Sequence, residues 1–362
     1  MATNKNQHFV PRCYLRPFTI DGADAAINIY NLDRKKFIPM APVKSQCSGD
    51  YFYGQDKQLE HAIQLVESGY GHSLRTLLNS SKTLSDSDKS MLKTFWLFQH
   101  LRTEAAATRA VEMSESVRNI ARIEGAEFRL GIKDAVMVAM KTFAESMRII
   151  DDLKFCLVKN KTKRPFITSD DPAILTNKWH LEDNRTRGRS FGLRAAGALT
   201  ILPLSPKLLF LGYDGDVYSI PHQQGIVETK SERDIIAYNQ HQFLNCRANI
   251  FLKDAVHAEV VHSEYMEIST NRPKTRHVIH YAVRDKTEGD FIRYEVVDPK
   301  ERVTHEEVLI HSQVIRPRPQ FWPNQLRIRS TGSVYTNGTG LGFVRRTQAE
   351  SYSRAPFHKE RP

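Results

Sequence analysis

The middle of the chain carries a helical pattern of apolar residues from about residue 55 to residue 150. In its first part, apolar side chains recur at three- and four-residue spacing, at Leu59, Ile63, Val66, Tyr70, Leu74 and Leu77. This spacing places them on one face of an amphipathic helix. Residues 91–101, MLKTFWLFQHL, are apolar nearly all round, which is typical of a central, buried helix. We predict a block of packed helices, with Asp86 or Ser87 capping the second.

Strand patterns lie on both sides of this block. Residues 26–30 and 36–38 are short apolar runs joined by Asn31-Leu32-Asp33-Arg34, which predicts a hairpin. After the block, residues 155–158 and 165–168 flank the basic segment 159–164, which predicts a second hairpin with a basic loop. The remaining patterns predict strands at 198–202, 208–213, 255–261, 277–283 and 291–297, and a helix at 231–252.

The order of these elements indicates the fold class. The helices cluster in one block and do not alternate with strands, which argues against a doubly wound parallel sheet. We therefore predict an α+β fold, in which a mostly antiparallel sheet packs against a clustered helical layer.

Composition and charge change this picture mainly at the C-terminus. The chain has 362 residues, a formal net charge of +11, 40% apolar residues and 26% charged residues, which excludes collagen-like, low-complexity and disulfide-scaffold proteins. Residues 313–362 hold nine basic and two acidic residues, so this segment carries +7 of the total. Its Pro, Gly, Arg, Ser and Thr content predicts a basic, largely disordered tail, preceded by a small strand-containing extension over residues 263–312. The rest of the chain is nearly balanced, so bulk charge does not support nucleic-acid binding by the core.

The cysteines and the N-terminus bear on the compartment. Cys13, Cys47, Cys156 and Cys246 form no CxxC pair, which favours reduced thiols over a zinc knuckle. The N-terminal sequence MATNKNQHFVPR lacks an apolar signal region, and no apolar run approaches the length that spans a bilayer. We expect a soluble, cytoplasmic protein without membrane partners.

No strong catalytic signature is present, but polar residues stand out in apolar surroundings. There is no P-loop, Rossmann fingerprint, HExxH or GxSxG motif. Gln7 and His8 precede Phe9-Val10-Pro11, where desolvation would lower the pKa of the imidazole. The alternative is a histidine bonded to backbone at the end of a strand.

Arg102 lies at the end of the predicted buried helix. Gln99 and Arg102 extend the apolar seam of Leu92 and Phe95, and a buried guanidinium is costly unless it is paired. Arg102 is therefore either an anion site for phosphate or carboxylate, or half of an internal ion pair that fixes packing.

A third candidate is the turn after the predicted strand 165–168. Ser169 and Asp170 could serve there as ligand donor and general base, although Asp-Asp-Pro could equally form a simple Asx-turn. Glu60 on the first helix is a further candidate carboxylate, and the alternative for it is a solvated helix face.

These segments together resemble a bacterial family of proteins, the domain-of-unknown-function family 4238. The resemblance rests on QHFVPRCYLRPF, YFYG, the Leu59-Glu60 pair, FQHLRT, FITSDDPA and LPLSP, in that order. It implies one domain over about residues 5–262 and singles out His8, Glu60, Gln99, Arg102, Ser169 and Asp170. Arg12-Cys13 and Pro17 depart from the usual pattern without removing a candidate group. The family implies no reaction.

Two functional hypotheses follow. The first is a nuclease-like hydrolase acting on a phosphate-bearing substrate, a nucleic acid or nucleotide, in a toxin or defence role. His8, with Asp170 or Glu60, would do acid–base chemistry, while Gln7, Gln99, Arg102 and Ser169 would bind substrate. Mg²⁺ on Asp170 and Glu60 is optional, and the basic loops 159–164 and 185–189 would contact phosphate.

The second hypothesis is a non-catalytic module that binds a ligand or nucleic acid, in which the same polar groups form a structural network. A hydrolase of some other substrate remains a third option. Convergence of His8, Arg102 and Asp170 in one open cleft would favour the enzyme.

Overall fold

The computed structural model describes residues 5–22, 24–79, 84–125, 127, 129–289, 291–298, 300, 307–352 and 356–362. Within these residues, no helix has both the length and the apolar character needed to cross a bilayer.

The N-terminal segment forms short strands and one helical turn. Its elements are β1 (Asn6–His8), α1 (Arg12–Leu15), β2 (Ala26–Asn31), β3 (Lys36–Pro42) and β4 (Ser48–Asp50). Strands β2 and β3 pair antiparallel with Asn31 opposite Lys36, which confirms the first predicted hairpin. Strand β1 pairs antiparallel with β4, which ties residues 6–8 to residues 48–50.

The predicted helical block is confirmed. It comprises α2 (Lys57–Asn79), α3 (Asp86–Arg102), α4 (Glu104–Ala121) and α5 (Ile132–Ser146). Ser85 caps α3, one residue before the predicted cap, in a reciprocal capping box with Asp88. The fully buried Trp96 of α3 donates from Nε1 to the carbonyl of Ile201 at 3.1 Å, so this helix is central, as its all-round apolar pattern predicts.

The sheets follow the helical block. The next elements are β5 (Lys154–Asn160), β6 (Thr168–Ser169), β7 (Ile174–Thr176), α6 (Lys178–Glu182), β8 (Leu199–Ser205), β9 (Leu208–Tyr213), β10 (Tyr218–Ser219), β11 (Ile226–Thr229), α7 (Glu232–Asn245), β12 (Asn249–Leu252) and α8 (Ala258–Ile268). One sheet has the strand order β11-β5-β9-β8-β7, and another has the order β3-β2-β12-β6. Their pairings are antiparallel except β11 with β5. The fold is therefore α+β, with mostly antiparallel sheets.

The predicted hairpin around residues 159–164 is wrong. Strand β5 pairs with β9 and β11, whereas β6 pairs with β12 in the other sheet. The side chain of Asn160 turns the chain by donating to the carbonyl of Arg164 at 2.6 Å. Two basic side chains of this loop meet carboxylates: Lys161 pairs with Glu228, and Arg164 pairs with Glu264.

Two predictions near residue 250 are also wrong. The helix predicted over 231–252 ends at Asn245, and residues 249–252 form β12 between β2 and β6. Arg272 donates to the carbonyls of Phe243 and Cys246 and so satisfies the end of α7. Residues 255–261, predicted as a strand, form a 3₁₀ turn that leads into α8.

The C-terminal region contains β13 (His277–Glu288), β14 (Phe291–Val296), β15 (Val308–Val314), β16 (Arg327–Ile328), β17 (Val334–Thr336), β18 (Phe343–Val344), α9 (Arg346–Glu350) and β19 (His358–Glu360). Strands β14 and β15 flank β13. The strands predicted at 277–283 and 291–297 correspond to β13 and β14, whereas β15 is not predicted. After residue 313 the described elements are short, two to five residues each.

This last segment is nevertheless tied to the preceding domain. The buried Arg345 pairs with Asp152 at 2.7 Å and donates to the carbonyl of Ile149 at 2.7 Å. Leu326 and Val334 are buried in the same apolar cluster as Trp179. The described part of a segment with a tail-like composition therefore contributes to the core.

The buried His241 of α7 generates a prediction about pH. Burial lowers the pKa of its imidazole to about 4, whereas a histidine in an unfolded chain has a pKa of about 6.5. Between these values the unfolded state binds more protons, so the free energy of unfolding falls as the pH drops. Between pH 7 and pH 5, we expect the free energy of unfolding to fall by about 2 kcal/mol more in wild type than in His241→Gln. Urea unfolding at both pH values measures this difference. The exposed His222→Gln is the control, and equal losses in wild type and His241→Gln would contradict the prediction.

Candidate functional site

A cavity of about 410 Å³ lies between the N-terminal segment and helix α2. Its walls are built from β1, α1, the turn after β4, one face of α2 and the end of α3. The polar or titratable residues that line it are Asn6, Gln7, His8, Arg12, Cys13, Arg16, Tyr53, Glu60, Gln64, Glu67, Ser68, Arg75 and Arg102. Four candidates from the sequence, Gln7, His8, Glu60 and Arg102, are thus brought together.

Gln7 braces the wall of this cavity. It is 8% exposed, its Nε2 donates to the carbonyl of Gly54, and its Oε1 accepts the N–H of Tyr53 at 2.7 Å. Both bonds hold the turn after β4 against β1. The nitrogen and the oxygen of the side-chain amide are thus both engaged within the protein. This arrangement does not test the predicted role of Gln7 in substrate binding, which stays a prediction.

Arg102 is fully buried and its guanidinium is committed to protein acceptors. Nε donates to the hydroxyl of Tyr53 at 2.6 Å, and one terminal nitrogen donates to Glu67 Oε1 at 2.7 Å. The other terminal nitrogen donates to the carbonyl of His8 at 2.5 Å. The face of the guanidinium lies 4.3 Å from the ring centre of Phe98. Of the two alternatives for Arg102, the structure has the internal ion pair.

His8 sits beside this pair, with its backbone held by Arg102. Burial lowers the pKa of its imidazole below the usual 6.5, and the charge of Arg12 lowers it further. The ring is therefore neutral at pH 7. Its Nε2 is shielded from solvent and has no bonding partner among the described residues. A neutral histidine with one unsatisfied nitrogen can accept a proton or a hydrogen bond from a ligand.

The other three arginines that line the cavity differ in whether they have a carboxylate partner. Arg12 and Arg16 share one carboxylate, Asp24, at 3.1 and 3.4 Å. Arg75 is exposed and forms no ion pair with the described part of the chain. The cavity wall thus holds four arginines, with Glu60 and Glu67 as its carboxylates, which favours an anionic ligand.

Asp170 is placed outside this cavity. Its side chain accepts the backbone N–H groups of Arg247, Ala248 and Asn249 at 2.8, 2.9 and 2.8 Å. Burial raises the pKa of its carboxyl to about 6, against these three hydrogen bonds. Asp170 therefore shapes the turn between α7 and β12. The convergence of His8, Arg102 and Asp170 that the enzyme hypothesis requires is met only for the first two.

Ser169 and Gln99 are both fully buried. The hydroxyl of Ser169 donates to Gln242 Oε1 at 2.7 Å, and Gln99 Nε2 donates to the carbonyl of Phe9 at 2.9 Å. Neither lines the cavity. Glu60 lies on the cavity wall and Asp170 does not, so the two carboxylates suggested for Mg²⁺ are not combined there. Within the described residues, no cluster of three His, Cys, Asp or Glu side chains is arranged as a metal site.

Sequence reasoning missed several cavity residues, and one signal could have found them. The missed residues Gln64, Glu67 and Arg75 lie on α2 at helical spacing from the predicted Glu60, so the four form a polar stripe along the face that carries Gly71. Tyr53 comes from the YFYG segment, which the sequence marked only as part of a resemblance.

A second polar network surrounds Asp171, which is fully buried. It accepts from Thr103 Oγ1 at 2.7 Å, Arg109 at 2.6 Å and Asn245 Nδ2 at 2.9 Å. Arg276 and Arg316 lie close enough for the charge of Asp171 to raise the pKa of each, although burial and neighbouring arginines lower both to about 10. The SDDP segment thus joins the helical block to the C-terminal extension.

Comparison with known proteins identifies the family. Residues 6–255 match the model of a family described as Protein of unknown function (DUF4238). This match covers more than half of the chain, so the protein belongs to that family, and the sequence resemblance is confirmed. No curated protein and no solved structure matches the chain.

The ion pair of Arg102 generates a stability prediction. Removal of one partner leaves a buried charge or orphaned acceptors, which costs about 3–5 kcal/mol in buried pairs. We expect Arg102→Ala to lower the free energy of unfolding by this amount, measured by urea unfolding. The exposed Arg75→Ala lies on the same cavity and should change stability by less than about 0.5 kcal/mol. A loss below about 1 kcal/mol for Arg102→Ala would contradict the structural role.

Asp170 generates a second stability prediction. Asp170→Ala would leave three backbone N–H groups without their acceptor, at a cost on the order of 3 kcal/mol or more. We expect this loss in urea unfolding at pH 7, whereas Asp254→Ala, an exposed position after β12, should be nearly neutral. A stable Asp170→Ala variant would show that these bonds do not hold the turn.

Proposed function

We propose that the protein is a hydrolase that acts on a phosphate-bearing substrate, a nucleotide or nucleic acid, in the cavity between β1, α1 and α2. The observation that supports this is the meeting of the unsatisfied His8 with an arginine-rich wall around one cavity. Guanidinium groups are planar forks that match phosphate geometry. A volume of about 410 Å³ lies in the range of small-ligand sites.

His8 would act as the general base. Its lowered pKa keeps the ring neutral at pH 7, and its hydrogen bond to the backbone of Lys44 would leave Nε2 as the nitrogen without a proton. Nε2 is shielded in this structure, so the ring would turn toward the cavity to accept from the attacking water. The water oxygen forms the new bond to phosphorus, its proton passes to His8, and the ester P–O bond breaks. The proton then returns through solvent to the leaving oxygen. Glu60, on the same cavity wall, would orient the attacking water.

Arg75 and the Arg12–Arg16 pair would hold the phosphate. Arg75 carries no carboxylate partner among the described residues, and Arg12 and Arg16 share one. Arg102 would act as a positioning residue, since its bond to the carbonyl of His8 fixes where the imidazole stands. A cytoplasmic location and a toxin or defence role are parts of the same proposal; the four free thiols support the location.

The second candidate is a non-catalytic binding module, and one observation favours it. Arg102, Asp170, Asp171 and Ser169 all bond to protein groups, which is what a structural polar network requires. In that case the cavity would bind the phosphate group without cleaving a bond.

An activity assay on purified wild type and His8→Ala separates the two candidates. The substrates are a panel of nucleotides, single-stranded RNA, duplex DNA and bis-p-nitrophenyl phosphate. We expect wild type to cleave at least one of these, and His8→Ala to lose about 10²–10⁴-fold in kcat. The pH profile of kcat/KM should rise through a value below 6.5 and then stay flat, since the base is active when unprotonated.

Matched variants provide the controls. His61→Ala removes an exposed imidazole on α2 outside the cavity lining and should leave activity unchanged. Arg75→Gln should raise KM, whereas Arg34→Gln, in the β2–β3 turn, should not. Binding of a panel member by both wild type and His8→Ala without any cleavage would overturn the hydrolase and favour the binding module.

A further inference from the structure

A second and larger cavity lies near the C-terminal end of helix α2, against strand β5. Its volume is about 770 Å³, and it shares no lining residue with the first cavity. It runs along strand β5 from Lys154 to Lys159, between the sheet and the ends of α2 and α3. The function proposed above does not involve it.

The floor of this cleft is apolar. Phe155 and Leu157 share one face of β5, and their neighbours across the sheet include Leu208 of β9, opposite Lys159, and Ile226 of β11, opposite Leu157. Leu77 and Leu84 line the helical side. Ile226 keeps 41% of its surface exposed, so this edge of the apolar face is not covered by the described residues.

The rim of the cleft is basic. Its ionisable lining residues are Lys89, Lys93, Lys154 and Lys159, with Tyr213 and His222, and no Asp or Glu lines it. Lys89 has Asp86 as its partner at 2.7 Å, and Lys159 approaches Glu228 at 3.8 Å. The other two lysines form no ion pair with the described part of the chain.

Lys93 and Lys154 mark one end of the cleft. Lys93 is half-buried, and its Nζ donates to the carbonyl of Asp151 at 2.6 Å, just before β5 begins at Lys154. An ammonium group has three donors, so two N–H groups of Lys93 remain for a ligand. A carboxylate placed there would gain the ammonium group of Lys93 beside an apolar trough, and Lys154 lines the same cavity.

We propose that this cleft binds a single-chain fatty acid, with the carboxylate at Lys93 and Lys154 and the acyl chain along Phe155, Leu157 and Ile226. Charge complementarity selects the anionic head, because the rim carries lysines and no carboxylate. A mostly apolar cavity with a few charged groups at one end is typical of sites for small amphiphiles.

Binding of laurate to the full-length protein, measured by isothermal titration below its micelle concentration, tests this proposal. We expect decanoate, which has two fewer methylenes, to bind about 15-fold more weakly, since each buried methylene contributes about fourfold. Dodecanol, which lacks the charge, should bind about tenfold more weakly than laurate. Acetate should not bind detectably.

Charge variants locate the head group. Lys154→Glu and Lys93→Gln should each weaken laurate binding by about tenfold while dodecanol binding stays within about twofold. Lys36→Glu, at an exposed lysine on β3, is the control and should bind laurate as wild type does. Circular dichroism confirms that each variant is folded.

Several results would overturn the proposal. These are no binding of laurate, equal binding of laurate and dodecanol, or an unchanged laurate affinity in both lysine variants. Binding to anionic vesicles without binding to monomeric laurate would indicate a membrane-docking surface in place of the fatty-acid site. None of these outcomes bears on phosphate-ester cleavage, so the two proposals fail independently.

Discussion

The N-terminal half of the structure depends on one buried charge, the guanidinium of Arg102. An unpaired charge of this kind would be very costly inside a protein, so its position dictates what surrounds it. It requires Glu67 from α2, the hydroxyl of Tyr53 from the turn after β4, and the carbonyl of His8 at the end of β1. Three segments that are far apart in sequence are thereby joined at the end of α3. The cavity beside His8 exists because these segments meet at Arg102 and leave an open space next to it.

The sequence predicts elements well where a local pattern is strong and poorly where distant partners decide the outcome. The 3–4 spacing along α2 and the all-round apolar character of α3 both survive in the structure, because these patterns are themselves the physical cause of burial. The end of α7 is different. Its last carbonyls are satisfied by Arg272, 26 residues after Cys246, and residues 249–252 are drawn into a sheet by β2 and β6. Neither partner is visible in a local window, so a single helix over 231–252 was the natural prediction.

The candidate site was predicted in part for the same reason. The position of Arg102 on an apolar seam indicates that its burial is costly and that it needs a carboxylate partner. The sequence does not indicate that this partner is Glu67. Asp170 and Asp171 show the opposite case, since two adjacent carboxyl groups have different fates. Asp170 accepts three backbone N–H groups, whereas Asp171 pairs with Arg109 and Thr103. A one-residue step along an extended chain reverses the direction of the side chain, so sequence alone could not tell which acid would face which partner.

The net charge of +11 says little about binding partners, because part of the basic charge is paired inside the fold. Many basic residues that look free in the sequence meet a carboxylate in the fold. Lys161 meets Glu228, Arg164 meets Glu264, and Arg345 meets Asp152. The arginine-rich last segment is therefore partly a structural clamp, because Arg345 fixes it to the loop that precedes β5. Among the described basic side chains that form no ion pair, Arg75 lies on the wall of one cavity, and Lys93 and Lys154 lie on the wall of the other. An anion bound at either place would complete a pairing that the chain leaves open, so these cavities, more than the overall charge, are where ligand chemistry should be sought.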